Sequence, residues 1–192
     1  MLKITGDHVL GIENALVTAG YPLQTVVNIS KDLTQEWEKL IKRGERLGKT
    51  PCGEGHDKFL RFITVIATVE APRYWWQEFS TYHFAEMNSQ STMHRITKMD
   101  IESCCNEYVD KRVINLVTSL IEQYNENPST ENFLKVKSNL PEGFMLSAGI
   151  CTNYSQLKTM YKQRKGHRLP EWHRFCEWIE GLPFVKEFGV VA

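Results

Sequence analysis

The sequence predicts an α+β fold, because helical patterns outnumber strand patterns and the two do not alternate regularly enough for a doubly wound sheet. Its 192 residues give room for one compact domain, which we expect to span residues 1–192. A chain of this size buries enough surface to fold without a disulfide or a structural metal.

Patterning predicts the elements of the N-terminal third. Residues 2–4 favour a short first strand, and Ser30 is placed to cap a helix with Trp37 and Leu40 on one face. Glycines and prolines predict a break in regular structure over residues 44–55.

Apolar residues dominate the next segment. The β-branched and aromatic side chains of residues 59–69 predict a buried strand. Pro72 suits the first turn of a helix over residues 74–79. We interpret its leading tyrosine and two tryptophans as core packing, the alternative being a surface on which a base or flavin stacks. His83 and the polar residues 88–91 that follow predict a loop, in which donors and acceptors either meet solvent or bind a polar ligand.

The C-terminal half is predicted to be mainly helical. Apolar spacings of three and four residues predict a long helix from residue 100 to residue 124. Ser129 or Thr130 begins the next helix, and residues 143–152 are extended. Helices are expected over residues 130–138, 155–165 and 170–181.

Charge and composition narrow the function class. Lys and Arg together count 23, as do Asp and Glu, so the formal net charge is zero. A neutral chain lacks the excess cationic charge on which sequence-independent nucleic-acid binding rests. No apolar run approaches the roughly 18 residues that span a bilayer, and we see no secretory signal. Five cysteines without a paired pattern indicate free thiols, so we expect a cytoplasmic protein without membrane or nucleic-acid partners.

Candidate metal ligands and nucleophiles are scattered. Cys52 with His56, and a C-terminal group of two histidines and Cys176, lack the Cys-x-x-Cys or His-Glu-x-x-His spacing of a metal site, so no metal is predicted. Ser91 and His94 are three residues apart, but no orienting acid is evident.

A motif with fixed spacing begins at Gly55. Gly55-His56-Asp57 precedes a strand that ends in Val69-Glu70-Ala71-Pro72, and Asn88 and Ser91 follow in register. This order resembles the flavin-dependent thymidylate synthases, the ThyX family, whose Gly-His-Glu and Val-Lys-Ala-Pro segments stand at the same separation. The family's asparagine and second serine fall on Asn88 and Ser91.

Other positions of that motif differ from the family. Its Arg-His-Arg triplet falls on Thr81-Tyr82-His83. Glu78 replaces a glutamine, Glu86 a serine and Met93 the last arginine. New carboxylates at Glu78 and Glu86 have the chemistry to accept a hydrogen bond from an amino group such as that of cytosine.

A second block without gaps supports the resemblance. Lys137 stands where the family has an arginine before a Leu-Pro pair, here residues 140–141, and Asn153 and Arg164 follow in register. Together the two blocks cover about half the chain.

The resemblance implies an α+β subunit, with helices on a small, mostly antiparallel sheet, that forms a homotetramer with FAD at sites shared between subunits. Members methylate dUMP at C5, with methylene-tetrahydrofolate as carbon donor and reduced flavin as hydride source. It implies catalytic roles for His56 and Ser91 and cofactor contacts from His56, Tyr82, His83, Asn153 and Ser155. It implies nucleotide contacts from Glu78, Asn88, Ser91, Lys137 and Arg164.

Structural alternatives exist for the same residues. Asn153 can cap the helix that follows it, while Lys137 and Arg164 lie near predicted helix ends, where cations meet the macrodipole favourably. The sequence therefore predicts a divergent C5 methyltransferase for dUMP or a related nucleotide. The alternatives are an inactive nucleotide-binding protein and a scaffold on the same fold.

Overall fold

The structure, a computed structural model, describes residues 1–25, 37–51 and 54–191. Its strands are β1 (Lys3–Leu10), β2 (Thr64–Pro72), β3 (Glu86–Ser89) and β4 (Met145–Asn153). Its α-helices are α1 (Ile12–Thr18), α2 (Trp37–Gly48), α3 (Arg73–Phe79), α4 (Thr92–Arg95), α5 (Lys111–Glu126), α6 (Thr130–Ser138), α7 (Tyr154–Arg164) and α8 (Pro170–Glu180). Short 3-10 helices occupy Tyr21–Leu23, Lys58–Phe62 and Ile96–Lys98.

The four strands form one antiparallel sheet in the order β1-β2-β4-β3. Backbone bonds join Arg73 to Phe144 at 3.0 Å and Tyr154 to Ile63 at 3.1 Å. Facing residue numbers rise on β2 as they fall on β4, which is the antiparallel register. The predicted α+β class with a small antiparallel sheet is confirmed.

Contacts within the chain divide it into two compact units. The first unit contains Met1–Lys3, Val69–Thr81 and Met87–Gly149. The second unit contains Ile4–Thr68, Tyr82–Glu86 and Ile150–Ala192. Each strand contributes residues to both units, and the expectation of a single domain stays a prediction.

Aromatic packing anchors α3 in the first unit. Trp75 and Phe79 are fully buried and stack with ring centroids 4.9 Å apart. The indole Nε1 of Trp76 donates to the backbone oxygens of Ala71 and Leu146, both at 3.1 Å. The two tryptophans are therefore packing residues, as the sequence predicted.

The long helix of the first unit begins later than predicted. Helix α5 begins at Lys111 because the Asp110 carboxylate caps it, accepting from the backbone N–H of Arg112 at 2.8 Å. The preceding segment turns instead, and the backbone N–H of Asn106 donates to Gly143 at 3.0 Å. The apolar spacing of residues 100–110 thus marks burial in turns: Ile101 is buried in one cluster with residues of α5 and α6.

The predicted strand over residues 59–69 begins too early. Residues 58–62 form a 3-10 helix, and β2 starts at Thr64 with strictly alternating burial through Val69. Phe59 and Leu60 are buried from this 3-10 turn, so an apolar run was mistaken for one strand.

Helix α2 continues through the predicted glycine break as far as Gly48. A Cβ on Gly44 would lie 2.5 Å from Leu16 and 2.7 Å from Phe188. Gly44 therefore permits close packing of the helix rather than ending it. The proposed cap Ser30 lies outside the described residues.

The polar segment after α3 is not simply a loop. Residues 86–89 form the edge strand β3, and the backbone N–H of Gln90 donates to Ser147 at 3.0 Å. The remaining predicted elements are confirmed: the first strand, longer than expected, and the segments that became α3, α6, α7, α8 and β4. Within the described part of the chain, no helix has the length and apolar character needed to cross a membrane.

Candidate functional site

The predicted site residues are divided between the two units. The second unit holds His56, Tyr82, His83, Asn153, Ser155 and Arg164. The first unit holds Glu78, Asn88, Ser91 and Lys137.

Two predicted cofactor residues of the second unit line the same cavity of about 420 Å³. Asn153 ends β4, and Ser155 lies in the first turn of α7. We call this space the asparagine cavity; its lining is Asp57, Arg61, Phe84, Asn153, Ser155, Gln156 and Thr159. Amides, hydroxyls, one cation and one carboxylate make it a polar site with a single aromatic wall.

Asn153 also caps helix α7. Its Oδ1 accepts a hydrogen bond from the backbone N–H of Gln156 at 2.9 Å, from an extended backbone. The structural alternative for Asn153 is therefore confirmed. The cap uses only the oxygen, and the side-chain NH2 group has two donors of its own for another partner.

The two predicted histidines are sequence neighbours of cavity residues. His56 precedes Asp57 and His83 precedes Phe84, and both imidazoles are exposed. The carbonyl of Phe84 accepts from the Thr152 hydroxyl at 2.8 Å, which fixes that segment beside β4. Neither histidine lines the cavity itself.

A buried ion pair forms part of the cavity wall. Asp57 Oδ2 lies 3.3 Å from Lys158 Nζ, and their side chains are 8% and 13% exposed. The same ammonium donates to the backbone oxygens of Gly48 at 2.7 Å and Thr50 at 2.8 Å. Lys158 thus ties the end of α2 and the Asp57 segment to α7.

Tyr82 and Arg164, predicted to hold cofactor and nucleotide respectively, contact each other. Arg164 Nε donates to the Tyr82 hydroxyl at 2.8 Å, and that hydroxyl donates to Gln163 Oε1 at 2.9 Å. The guanidinium carbon lies 4.6 Å from the Trp172 ring centroid and 5.5 Å from that of Tyr82. Arg164 is in the last turn of α7, so the structural alternative also describes it correctly.

The first unit brings Ser91 and Lys137 to one place. Lys137 Nζ donates to the hydroxyl of Thr92, the residue after Ser91, at 2.5 Å. The Ser91 hydroxyl accepts from the backbone N–H of His94 at 3.3 Å as the cap of α4. Burial, and secondarily the positive charge of Arg73, lowers the pKa of Lys137 below its ordinary value.

Glu78 and Asn88 belong to other elements of the first unit. Glu78 is half-buried on α3, whereas Asn88 is exposed on the edge strand β3. No three His, Cys, Asp or Glu side chains of the described residues cluster in a way that would hold a metal ion.

The fold matches that of known enzymes over nearly its whole length. No protein-family model matches the sequence, and no curated protein matches it. Thymidylate synthase X (ThyX) from Helicobacter pylori, solved with FAD and dUMP, superposes with a TM-score of 0.72 at 16% identity, over 98% of this chain and 96% of that chain. The chain has the ThyX fold.

Two further solved structures agree. Another H. pylori ThyX complex with FAD and dUMP gives a TM-score of 0.68 at 15% identity, over 97% of this chain and 96% of that one. A UMP/dUMP methylase, PolB from Streptomyces cacaoi, bound with 5-Br dUMP, gives 0.66 at 12% identity, over 98% and 93%. The resemblance seen in the sequence is thus confirmed at the level of the ThyX fold.

Sequence reasoning missed several residues of the asparagine cavity. Thr159 lies four residues after Ser155 and three after Gln156 on α7, so the predicted helix contained a signal for this face. Asp57 belonged to the quoted motif but received no role. Arg61 carried no signal, because it was assigned to a strand and lies on a 3-10 turn.

Proposed function

We propose that this protein binds FAD and, with the reduced flavin, methylates C5 of a pyrimidine nucleotide, using methylene-tetrahydrofolate as carbon donor. The observation that carries the proposal is the asparagine cavity: Asn153 and Ser155, which the resemblance assigns to the cofactor, line one cavity in a chain with the ThyX fold. The FAD and dUMP in the H. pylori structures support the choice of ligands.

The asparagine cavity fits a flavin in size and chemistry. Its volume of about 420 Å³ lies within the usual range for small-molecule sites. The amide of Gln156 and the hydroxyl of Ser155 offer both donors and acceptors, as a flavin ring edge requires. Phe84 offers an apolar face, and Arg61 offers a cation to an anionic part of the cofactor.

The protein's task in this reaction is positioning. Bound FAD supplies the redox chemistry once it is reduced, so no protein nucleophile is required. Asn153 and Ser155 hold the cofactor, and His56 and His83 lie at its edge. Sites shared between subunits of a homotetramer complete the binding of FAD. We place the enzyme in the cytoplasm.

The nucleotide side of the proposal rests on the first unit. Lys137 and Ser91 lie beside Thr92 and provide one cation and one hydroxyl for a phosphate. A lysine contacts a phosphate as a point charge and lacks the two-pronged geometry of arginine. Asn88 and Glu78 contact the base.

The differences from the ThyX motif bear on the substrate. Thr81 and His83 replace two arginines of the family triplet, so the chain has fewer cations at these positions. Glu78 and Glu86 add carboxylates, which accept hydrogen bonds but do not donate them when ionised. We therefore include dCMP, whose amino group donates, among the substrates to be tested beside dUMP and UMP.

Cofactor binding is tested by reconstitution with FAD. We expect the purified protein to take up FAD, with absorbance near 450 nm, a general property of flavins. Asn153→Asp keeps a good helix cap but removes the amide donor, so it should weaken FAD binding without lowering the melting temperature. Ser129→Ala removes the matching cap of α6 and should leave FAD binding unchanged. A protein that takes up no FAD contradicts the proposal.

Turnover is tested with each nucleotide, methylene-tetrahydrofolate and chemically reduced flavin, with formation of the 5-methyl nucleotide measured by mass spectrometry. Ser91→Ala and Lys137→Met should lower turnover and leave FAD absorbance intact. Nucleotide-dependent thermal stabilisation without turnover would support an inactive binding protein. A protein that responds to neither FAD nor nucleotide would be a scaffold. Light scattering tests the homotetramer.

A further inference from the structure

A second, larger cavity lies in the second unit and plays no part in the proposed reaction. Its volume is about 700 Å³. We call it the lysine pocket; its lining is Lys49, Thr50, Pro51, Lys158, Tyr161, Lys162, Lys165, Lys186, Gly189, Val190 and Val191. Among the residues that the structure describes, this lining contains five lysines and no carboxylate side chain.

Two of these lysines have partners in the protein. Lys158 uses its three donors on two backbone oxygens and Asp57, so it shapes the wall and is not available to a ligand. Lys165 lies over the ring of Tyr161, with its ammonium 5.1 Å from the ring centroid. The Tyr161 hydroxyl bonds the Glu180 carboxylate at 2.6 Å, which brings one negative charge to this end of the pocket.

The other three lysines come from separate segments. Lys49 follows α2, Lys162 is on α7, and Lys186 is in the C-terminal segment. No carboxylate in residues 1–25, 37–51 and 54–191 forms an ion pair with any of the three. The C-terminal ends of α2 and α7 explain part of this cationic clustering, because each helix end carries about half a negative charge. With those ends, Asp57 and Glu180 counted, the described residues leave an excess of about two positive charges at the pocket.

Part of the remaining lining is apolar. Pro51, Val190 and Val191 provide hydrocarbon surface in the same lining as the ammonium groups of Lys49, Lys162 and Lys186. A phosphate monoester carries about two negative charges at neutral pH. Concave shape, apolar surface and a few convergent charges together are typical of a small-molecule site.

We propose that the lysine pocket binds a phosphorylated organic molecule, with its phosphate between Lys49, Lys162 and Lys186 and its apolar body on Pro51, Val190 and Val191. This site is separate from the asparagine cavity and does not depend on the function proposed above. Because the lining offers no carboxylate, ammonium-bearing ligands are disfavoured there.

The test measures binding of phenyl phosphate and of inorganic phosphate by calorimetry at fixed ionic strength. We expect phenyl phosphate to bind more tightly, because only it covers the apolar surface. A double variant, Lys162→Gln with Lys186→Gln, should weaken phenyl phosphate binding by about tenfold or more through lost charge-assisted hydrogen bonds. The matched double variant Lys42→Gln with Lys98→Gln removes the same charge from exposed lysines outside the pocket and should change binding by less than about twofold.

The outcomes separate clearly. If both double variants bound phenyl phosphate equally weakly, the effect would come from net charge alone, and the proposal would be overturned. Absence of phenyl phosphate binding to the wild-type protein would also overturn it. Equal affinity for phenyl phosphate and inorganic phosphate would show that the apolar surface takes no part in binding, and would overturn the proposal of an organic ligand. FAD uptake by the Lys162/Lys186 variant, measured in parallel, distinguishes loss of this site from failure of the proposed enzymatic function.

Discussion

The asparagine cavity and the lysine pocket lie in the same unit, yet their linings differ in chemistry. The first combines amides and hydroxyls with one arginine and one aspartate, and the second combines five lysines with hydrocarbon. The ion pair of Asp57 and Lys158 contributes one residue to each lining. Neutral donors and acceptors on a rigid helix cap suit a heteroaromatic ring, whereas clustered ammonium groups suit a phosphate. One buried ion pair thus supports two cavities whose linings favour different ligand chemistry.

Removing Asp57 should have the largest effect, because both cavities depend on it. Asp57→Ala leaves the Lys158 ammonium buried without its counter-charge, and we expect a loss of about 3 kcal/mol in the free energy of unfolding, measured with urea. Asp57→Ala combined with Lys158→Met should recover part of that loss, since no buried charge then remains.

An exposed ion pair provides the control. Lys3 and Glu70 are 2.9 Å apart, but their side chains are 70% and 37% exposed. Lys3→Met should therefore cost less than about 1 kcal/mol. If Asp57→Ala cost no more than this, the pair would not be the common support of the two cavities.

Arg164 tests whether a predicted ligand-binding cation is instead structural. Arg164→Gln removes stacking on Trp172 and the hydrogen bond to Tyr82, and we expect a loss of about 2 kcal/mol in stability. Arg164→Lys should recover little, because an ammonium lacks the planar group that stacks.

His56→Ala is the comparison variant, since its imidazole is exposed, and should change stability by less than about 0.5 kcal/mol. Thermal unfolding monitored by circular dichroism measures all three variants. Equal melting temperatures for Arg164→Gln and wild type would show that Tyr82 and Trp172 do not depend on the guanidinium.

Local signals in the sequence predicted most elements but not all of their limits. Pro72 and Ser129 marked helix starts correctly, because fixed φ and side-chain capping act within a few residues. The prediction that Gly44 breaks the helix was wrong, because Gly44 instead allows close packing against Leu16 and Phe188, which are distant in sequence. Asp110 was overlooked as a cap because the apolar spacing continued upstream of it.

In the candidate site too, the sequence predicted some residues correctly but did not predict contacts between residues that are distant in sequence. Register with a known motif selected Asn153, which lines the asparagine cavity, and Ser91 and Lys137, which meet at Thr92. Ser155, assigned through the same resemblance, lines the cavity with Asn153. The register did not predict that Tyr82 and Arg164 would contact each other, because that depends on how α7 folds back toward residue 82. The sequence did not predict the buried position of Lys158, because a lysine on a helix usually faces solvent and only the tertiary structure shows its burial.

Asn153 separates the structural and the ligand-binding contributions to the asparagine cavity. Asn153→Ala removes the cap of α7, and we expect a loss of about 1 kcal/mol, measured by urea unfolding. Asn153→Asp should keep the stability of the wild type. An equal loss in both variants would mean that the amide NH2 group itself stabilises the fold, in which case it is not available to a ligand.

Lys137 offers the smallest and most specific effect, a shift in amine reactivity with pH. Its folded pKa is below the ordinary lysine value of 10.5, so the neutral, reactive amine forms at lower pH than in an exposed lysine. By the same linkage the folded state is penalised while Lys137 is protonated, and this penalty is relieved as pH rises toward 10.5. Acetylation followed by mass spectrometry from neutral to alkaline pH should therefore show the Lys137 profile displaced below that of a lysine model peptide.

Arg73→Gln should move the Lys137 profile part of the way back, because the charge of Arg73 is the secondary cause of the shift after burial. A bound nucleotide phosphate should move it further in the same direction and slow the reaction, because an anion favours the protonated amine. dUMP should shift the Lys137 profile more than phenyl phosphate does, because Asn88 and Glu78 are proposed to contact the base. A Lys137 profile that phenyl phosphate and dUMP shift equally would show that the two sites do not discriminate, and would remove the distinction drawn between a nucleotide site and the lysine pocket.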